Sequence, residues 1–512
     1  MKTVSDVKPA RTVAVMMAIT IIGKIMGLWR DRMQSTQFGG NTAEGIAFAQ
    51  ASFLPNTFLD IMFAAAFSAS FIPVFSMYME TKGKRAAFDL AALFISVVTV
   101  LTAGVTLISI VFAQPILTVS LRGGDLPYGT MALGVTLLRY MFPLMILSGL
   151  AFSFTGILQS LGEFRIPAAM STVSNGVILI YYFFFIDRFG VYGLAAAFLI
   201  GWGMQGAIQI PVLIKHKFKF RFKLNLKDPG LRQIGALALP VMISSWVIPI
   251  NIWVNVMASG GEFGVTAIHF ANRLFAIISG VFILSVSNVI FPKLSRQAAT
   301  KDTKGFGETI NETVRVLLFF LLPLTFGLMA LSQPLVGLIL GGGLFDAAAV
   351  QATGTALFSF ALGVVGFGLL AVLSRACYAM LDGRTPIIAA VVAIITNAVL
   401  SFTLAPHMEV AGPALANAIS QTLGAGILVI SLTRKGILKW PASTVADLGK
   451  MIVIALLMFG AVYVSIRQTA NAHIILQVGI PAAVGGVVYV GLAAVLRVKE
   501  MDWVLAVVRR RR

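Results

Sequence analysis

The chain has 512 residues, of which 58% are hydrophobic and only 12% charged, and its formal net charge is +19. Its mean hydropathy of +0.91 excludes a protein that hides its apolar side chains inside a water-soluble core. Most of this apolar surface must contact lipid, so we predict an all-α integral membrane protein.

Apolar segments long enough to cross a bilayer recur along nearly the whole chain. A spanning helix needs roughly 20 apolar residues to cross about 30 Å of hydrocarbon. The sequence predicts fourteen transmembrane helices, at 12–34, 44–78, 87–113, 129–160, 166–186, 190–214, 233–257, 265–291, 314–340, 349–380, 386–404, 410–433, 446–466 and 474–496. The first is too long for a signal-peptide core and leads directly into further spans, so we expect no cleaved targeting segment.

The 39 Lys and Arg residues are concentrated in alternate loops. With the N-terminus inside, most of them lie in cytoplasmic segments, whereas the opposite side holds only Arg122, Arg188 and Arg467. This bias follows the positive-inside rule and predicts that both termini are cytoplasmic. The net charge is thereby explained without nucleic acid, which we do not expect as a partner.

Several turn and packing residues recur at a constant offset of 219, which indicates an internal repeat. Arg165 and Pro167 correspond to Arg384 and Pro386. Further matched pairs are Ser68 with Ser287, Pro73 with Pro292, Ser76 with Ser295, Gly193 with Gly412, Ala195 with Ala414 and Ala197 with Ala416. A duplication that only builds a large scaffold is the alternative to a functional repeat.

The repeat predicts how the chain is organised into domains. Each repeat contains six spans, an even number, so the two halves enter the membrane from the same side. We therefore predict a six-helix lobe at 1–230, a parallel six-helix lobe at 231–440, and two additional helices with a basic cytoplasmic tail at 441–512. A central cavity between the lobes and alternating access follow as expectations.

Ionisable residues within predicted spans are costly in a bilayer and are therefore the candidate functional residues. The first span contains Lys24, Arg30, Asp31 and Arg32, of which Lys24 and Asp31 share a helical face while Arg30 points about 100° away. A helix that faces lipid would not carry this set, so we expect it to line a wet cavity.

A second cationic position lies in the second repeat. Arg273 follows Asn272 in "HFANRLF", where an otherwise apolar helix begins. Guanidinium groups match phosphate oxygens well, so Lys24, Arg30 and Arg273 together predict an anionic cargo such as a phosphate or pyrophosphate. An interfacial arginine that reaches the headgroups is the alternative for Arg273. Glu44 lies at the rim of a span, and too few acidic residues lie inside the spans for a proton relay.

Cations alternate with aromatic residues in "KHKFKFRFK", Lys215 to Lys223. The period of two suits an extended interfacial segment with its rings among the headgroups and its cations on anionic membrane lipids. Topological retention on the cytoplasmic side is an equally good explanation. The terminal run Arg509 to Arg512 allows the same two interpretations.

No pattern for a metal, a cofactor or catalysis stands out. The single cysteine, Cys377, excludes an intramolecular disulfide, and the four histidines show no metal-ligand spacing. Nucleophile elbows, phosphate-binding loops and paired carboxylates are not evident. We therefore expect no metal, no cofactor and no enzymatic activity.

A set of short strings, spread in order over about residues 12 to 440, resembles one known family. These strings are "GLWRD" (Gly27 to Asp31), "LPN" (Leu54 to Asn56), "AFSASFIPV" (Ala66 to Val74), "FP" (Phe142, Pro143) followed by "GILQSLGEFRIPA", "FANRL" (Phe270 to Leu274) and "RACYAMLDGRTP" (Arg375 to Pro386). The chain resembles the MurJ/MviN family of lipid II flippases, within the multidrug/oligosaccharidyl-lipid/polysaccharide exporter superfamily.

This resemblance implies an arginine-rich central cavity for the pyrophosphate and headgroup of lipid II, and a groove at the last two helices for the polyprenyl tail. Arg30, Asp31 and Arg273 match family cavity positions, Lys24 replaces a family arginine, and Glu44 replaces a family aspartate. The candidates drawn from the residues and those implied by the family therefore coincide.

The chain also departs from the family pattern. After "LPN" the family has an Arg-Arg pair and then Glu-Gly, where this chain has Leu59, Asp60, Ala64 and Ala65. Compensation by Lys24 and Arg32, or a modified or different lipid-linked substrate, would explain the missing arginine. Some family members use sodium with a carboxylate in the seventh span, where this chain offers only Asn251 and Asn255.

The leading functional hypothesis is a flippase that moves lipid II, a polyprenyl-pyrophosphate-linked glycopeptide, from the cytoplasmic to the outer leaflet of the bacterial inner membrane. An exporter of another lipid-linked oligosaccharide is the nearest alternative. A membrane scaffold that recruits cell-wall synthesis proteins is a second, and those proteins would then be partners. A scaffold would tolerate loss of the cavity charges, whereas a flippase would not.

Overall fold

The computed structural model describes residues 9–59, 70–121, 126–259, 263–300 and 302–501. Within these ranges the regular secondary structure is helical, and the extended pairing is limited to an isolated bridge between Gly342 and Phe345. The predicted all-α class is confirmed. Asp60, Ala64, Ala65 and the terminal arginine run lie outside the described residues.

The chain divides into two compact units, the first containing Met1–Arg122 and Leu126–Pro249 and the second containing Ile250–Arg512. The helices of the first unit are α1 (Pro9–Phe38), α2 (Ala43–Leu59), α3 (Ile72–Thr81), α4 (Gly83–Val111), α5 (Ala113–Ser120), α6 (Thr130–Met141), α7 (Leu144–Ser160), α8 (Arg165–Phe184), α9 (Ile186–Ala207), α10 (Ile210–Lys215) and α11 (Pro229–Ser245). Helix α12 (Val247–Ala258) crosses the boundary. The second unit continues with α13 (Gly264–Ala299), α14 (Thr303–Leu340), α15 (Ala347–Ala361), α16 (Val364–Ala379), α17 (Arg384–Met408), α18 (Ala411–Arg434), α19 (Ala442–Gln468) and α20 (Ile474–Val495).

Each predicted span coincides with one of these helices or with a consecutive pair. In the described part of the chain, nine helices are long and apolar enough to cross a membrane, or ten if the bent pair α15 and α16 forms one span. The charged helix α1 is not among them. The chain is thus a multi-pass helical protein, and the number fourteen stays a prediction.

Helix bounds recur at the offset found in the sequence. The offset of 219 carries Arg165, the first residue of α8, onto Arg384, the first residue of α17. It also carries Pro143, at the break between α6 and α7, onto Leu362, at the break between α15 and α16. The second pair is bent by 45° at this break. The same helix pattern is therefore present in both halves.

Hydroxyl groups inside the long helices bond to their own backbone. Ser96 donates to the carbonyl of Ala92 at 2.8 Å, and Thr102 donates to that of Val98 at 2.8 Å. This arrangement suits a bilayer, where no water is available to satisfy a polar group. Large apolar side chains face outward instead, including Leu107 at 65% exposure, as expected for helices that contact lipid.

The first unit is built on packing of α1 against α8, α2 against α6, and α4 against α7. Its core contains a stack of aromatic rings, with Phe71 and Phe94 only 4.6 Å apart between centroids. The ring of Phe71 lies so close to Gly156 that a Cβ there would approach it to 3.0 Å. Small residues thus allow α7 to approach this aromatic cluster.

In the second unit, α14 carries the last two helices. Both α19 and α20 pack against it, and their shared core includes Phe319, Met451, Met458 and Tyr489. The Tyr489 hydroxyl donates to the carbonyl of Phe319 at 2.8 Å. The final helical pair is therefore an integral part of the second unit.

Candidate substrate-binding site

The centre of the candidate site in the first unit is Arg30 on α1. Its Nε and Nη2 donate to Asp31 Oδ1 at 3.2 and 2.9 Å, and only 8% of Arg30 is exposed. Asp31 is more deeply buried, at 2% exposure. Such a pair is tolerated in an apolar setting because each charge offsets the desolvation of the other.

Asn175 on α8 completes the support of this arginine. Arg30 Nη1 donates to Asn175 Oδ1 at 2.9 Å, and Asn175 Nδ2 donates to the carbonyl of Gly23 at 3.0 Å. The amide therefore links the guanidinium to the backbone of α1 about two turns upstream. Sequence reasoning missed Asn175, which lies 145 positions from Arg30.

The guanidinium also faces an aromatic ring. Its central carbon lies 5.5 Å from the centroid of Phe198 on α9, within the range of a cation–π interaction. A guanidinium has five N–H donors, and Nε, Nη1 and Nη2 each use one on the partners named above. Further N–H groups on the two Nη atoms remain for an anionic ligand. Arg30 is thus held in a fixed orientation rather than left mobile.

The other predicted residues of α1 and α2 lie in more open positions. Lys24 and Glu44 are exposed, and Arg32 is half-buried. The structure brings Arg30 and Asp31 together, as neighbours on the chain, whereas Lys24 lies about 9 Å from Arg30 along the axis of α1 by helix rise alone. Lys24 and Arg32 add positive charge to α1 without joining the buried pair.

Arg273 lies in the second unit, in the third turn of α13, and is exposed. Its neighbours Leu274 and Phe275 are buried, so this stretch of α13 presents one packed face and one open face. Its exposure is compatible both with contact to a ligand and with the interfacial alternative.

Leu59 is buried, at 1% exposure, and belongs to the aromatic cluster that contains Phe71 and Phe75. The residue that replaces the expected family arginine thus serves apolar packing at the end of α2. Its position provides no hydrogen-bond donor for an anion.

A separate buried polar cluster joins α12 to α17. Asn255 Oδ1 accepts from Asn397 Nδ2 at 2.9 Å and from Ser401 Oγ at 3.1 Å, and Asn397 Nδ2 also reaches the carbonyl of Asn251 at 3.3 Å. All four residues are at most 1% exposed. The partners that bind the Asn255 oxygen are therefore an amide and a hydroxyl.

This cluster does not match the carboxylate-bound sodium that the family resemblance implies. None of its four residues carries a carboxylate, and Asn255 Oδ1 already accepts from two neutral donors, whereas the buried Asn251 Oδ1 and Asn397 Oδ1 have no hydrogen-bond partner. In the described part of the chain, no group of three or more His, Cys, Asp or Glu residues could hold a metal ion. We derive no transport step from sodium at these residues.

The long apolar helices, the repeated helix pattern and the buried charged site define a multi-pass membrane transport protein. Solved structures of transporters share this fold. One described as lipid II flippase MurJ in an inward closed conformation superposes with a TM-score of 0.80 at 23% identity, covering 94% of this chain and 98% of that one. An inward-facing multidrug resistance MATE family transporter gives 0.69 at 15% identity, covering 83% and 98%.

Relatives with similar sequences match this chain over most of their length. A probable lipid II flippase MurJ from Rhizobium tropici is 28% identical over 462 residues, covering 88% of this chain and 85% of the relative. One from Treponema pallidum is 30% identical over 403 residues, covering 75% and 74%. The family model described as lipid II flippase MurJ matches residues 35–479. The chain belongs to this family, as the sequence resemblance predicted.

Proposed function

We propose that this chain is a lipid II flippase, which moves the lipid-linked peptidoglycan precursor from the cytoplasmic to the outer leaflet by alternating access. The observation that carries the proposal is the match to the lipid II flippase MurJ family over residues 35–479. The chain would act in the bacterial inner membrane, with both termini in the cytoplasm. Moving a lipid between leaflets breaks no covalent bond, so we infer a transporter and not an enzyme.

In this proposal the cationic residues bind the pyrophosphate. Arg30 would use the N–H groups that Asp31 and Asn175 leave available, and its fixed orientation supports binding because little side-chain freedom is lost. Lys24, Arg32 and Arg273 would add charge-assisted donors. The Glu44 carboxylate would accept from hydroxyl or amide groups of the headgroup.

The domain assignment belongs to the same proposal. Residues 1–230 and 231–440 would form two parallel lobes around a central cavity, and 441–512 would add two helices that receive the polyprenyl tail. Helices α19 and α20 pack against α14 of the second lobe, which supports the proposal that these two helices are attached to that lobe.

The first test replaces the cationic residues. Arg30→Ala and Arg273→Ala should abolish complementation of a flippase-depleted strain, because each removes a donor for the pyrophosphate. The matched controls are Arg188→Ala, an exposed arginine of the first unit, and Arg296→Ala, an exposed arginine on the same helix as Arg273. Both controls should complement. Membrane levels of every variant are measured by immunoblot, and full complementation by Arg30→Ala and Arg273→Ala would contradict the site.

The second test measures the cargo directly. Lipid II accessible at the outer leaflet is quantified in cells depleted of this protein, with and without re-expression. Depletion should lower outer-leaflet lipid II and raise the inner pool, and the wild-type chain should reverse both changes. Unchanged accessibility on depletion would contradict the flippase proposal. If the chain were instead a scaffold for cell-wall enzymes, the Arg30→Ala variant would rescue the depleted strain as well as the wild-type chain does.

A further inference from the structure

A segment between α10 and α11 exposes apolar and cationic side chains together. We call residues 215–227 the basic strip. Its large apolar side chains Phe220, Phe222, Leu224 and Leu226 are 50%, 60%, 54% and 69% exposed. The cations between and beside them are exposed as well, at Lys215, Lys217, Lys219, Arg221, Lys223 and Lys227. In water this many exposed apolar groups in one segment would be unfavourable.

The basic strip is fixed to α4 at two levels. Phe218 is buried, and its ring meets that of Phe88 edge to face at 5.3 Å between centroids. Further along, the backbone N–H of Lys223 donates to Ser96 Oγ at 3.1 Å, and Lys223 Nζ lies 2.8 Å from Asp89 Oδ1. These contacts set the height of the strip relative to α4 and leave Phe220 and Phe222 between two anchors.

The charge pattern of α4 places that height at the edge of the hydrocarbon. From Leu90 to Val111 the helix has no charged residue, and at 1.5 Å per residue this stretch is about 33 Å long. That length matches the roughly 30 Å of bilayer hydrocarbon. Asp89, which pairs with Lys223 Nζ, is the residue just before this stretch, whereas Ser96, which accepts from the Lys223 backbone, lies about 10 Å inside it. The basic strip therefore extends from the headgroup layer into the outer edge of the hydrocarbon.

We propose that the basic strip is a binding surface for the anionic phospholipids of the membrane. Phe220, Phe222 and the two leucines occupy the apolar part of the interface, and the exposed cations contact headgroup phosphates. Two observations favour this occupant. The surface combines apolar side chains with charges of one sign, which suits an anionic interface. Its anchoring to Asp89 and Ser96 of α4 also brings it to the boundary between headgroups and hydrocarbon.

The first experiment reports on the apolar side chains. Cys377 is fully buried, so Phe222→Cys can be labelled selectively with an environment-sensitive fluorophore in the full chain. The protein is reconstituted into nanodiscs of phosphatidylcholine alone or with phosphatidylglycerol. We expect a blue shift when phosphatidylglycerol is present, and a smaller shift at high salt because screening weakens the contact. Tyr128→Cys, a fully exposed position in the same unit, is the control and should not respond.

The second experiment reports on the cations. Lys219→Gln/Arg221→Gln leaves the Lys223 to Asp89 pair intact, and Lys304→Gln/Lys499→Gln removes two exposed cations of the second unit. Phosphatidylglycerol retained by the purified proteins is counted by native mass spectrometry. We expect the strip variant to retain less than half of the wild-type amount, and the control variant to match wild type.

Two results would overturn the proposal. The first is that both double variants retain equal amounts of phosphatidylglycerol and that the emission of the label at position 222 does not change with this lipid. The role of the basic strip would then be to keep its loop on the cytoplasmic side. A label shift that requires an added acidic protein and is absent with lipid alone would assign the surface to a protein partner. A protease-accessible tag on the variants verifies that their orientation is unchanged, so misinsertion is separated from lost binding.

Discussion

At the scale of single residues, the support of Arg30 explains how a buried cation can be kept ready for a ligand. Asp31 balances its charge, and Asn175 fixes the direction of the guanidinium by bonding both to Arg30 Nη1 and to the carbonyl of Gly23. On the proposed function, Asn175 would therefore be a positioning residue, which acts through Arg30 rather than on the cargo.

Asn175→Leu should impair lipid II flipping, because a hydrogen bond to a charged group contributes about 1.5–3 kcal/mol and the guanidinium would lose its direction. Ser174→Ala, at the adjacent buried position of α8, should leave flipping nearly unchanged. Outer-leaflet lipid II is the measurement, at matched membrane levels. Asn175→Gln, which keeps the amide on a longer side chain, should restore part of the activity. Wild-type flipping by Asn175→Leu would refute the positioning role.

The sequence was sufficient to select the charged residues of the candidate site, but not the residue that supports them. Charges inside apolar spans stand out in any sequence, so Arg30, Asp31 and Arg273 could be selected without a structure. Asn175 is an uncharged residue on another helix, and nothing in its local sequence connects it with Arg30. Contacts between helices depend on packing, which composition and periodicity do not determine.

The neutral polar cluster around Asn255 allows a prediction of how sodium affects the stability of the protein. Because the cluster contains no carboxylate to balance the charge of a cation, replacing sodium by potassium should not change the thermal stability of the purified protein. Asn255→Leu should destabilise it by about 1–3 kcal/mol, since the buried Ser401 hydroxyl loses its acceptor and Asn397 keeps only the longer bond to the Asn251 carbonyl. Thr403→Val, at an exposed position on α17, is the control. A midpoint that rises specifically in sodium would show that the cluster binds the ion.

At the scale of helices, the sequence predicted positions well and local geometry less well. Each predicted span matched a helix or a consecutive pair, because an apolar run in lipid has to form backbone hydrogen bonds within itself. The breaks at Pro143 and Leu362 were not predicted.

The "LDGRTP" string has a structural role at the start of α17. Asp382 accepts a hydrogen bond from the Thr385 N–H there. Hydrogen bonds from Lys435 and Thr385 lower the pKa of Asp382 to about 2.

An ion-pair network attaches the last two helices to α14. Arg315 Nη2 lies 2.6 Å from Glu500 Oε1 and 3.2 Å from Asp447 Oδ2, and Lys450 reaches Asp447 Oδ1 at 3.3 Å. Asp447 belongs to α19, while Glu500 follows α20. Both carboxylates are buried, and the arginine side chain is 18% exposed. One arginine on α14 thus holds both added elements.

Arg315→Met should therefore loosen the attachment of α19 and α20. Removing one partner of a fully buried pair costs about 3–5 kcal/mol, and we expect somewhat less here because Arg315 is partly exposed. Thermal unfolding of the purified protein is the measurement, and Arg467→Met, an exposed arginine of α19, is the control. The triple variant Arg315→Met/Asp447→Leu/Glu500→Leu should recover most of the loss, since within this network it leaves only Lys450 unpaired, and that side chain is 42% exposed to solvent. Equal stability of Arg315→Met and wild type would mean that apolar packing alone holds the helices.

At the scale of the whole molecule, the distribution of cations predicts the orientation in the membrane. Segments at alternate ends of the helices differ strongly in Lys and Arg content, and such a bias favours the basic side in the cytoplasm. The basic strip and the start of α14 lie on that side in this assignment. Because every six-helix repeat returns the chain to its starting side, the orientation of one loop fixes that of the others.

A reporter fused after Arg512 should therefore behave as cytoplasmic. Alkaline phosphatase, which is active only outside the cytoplasm, should be inactive at this fusion point and at a fusion after Lys227. A fusion after Arg188 should be active, because this position lies on the opposite side in the predicted topology. Green fluorescent protein at the same three points should give the reverse pattern, so poor expression is separated from location. Phosphatase activity at both Lys227 and Arg512 would mean that the chain is inverted, and then the basic strip would face the outer leaflet, where its proposed anionic lipids would have to be sought.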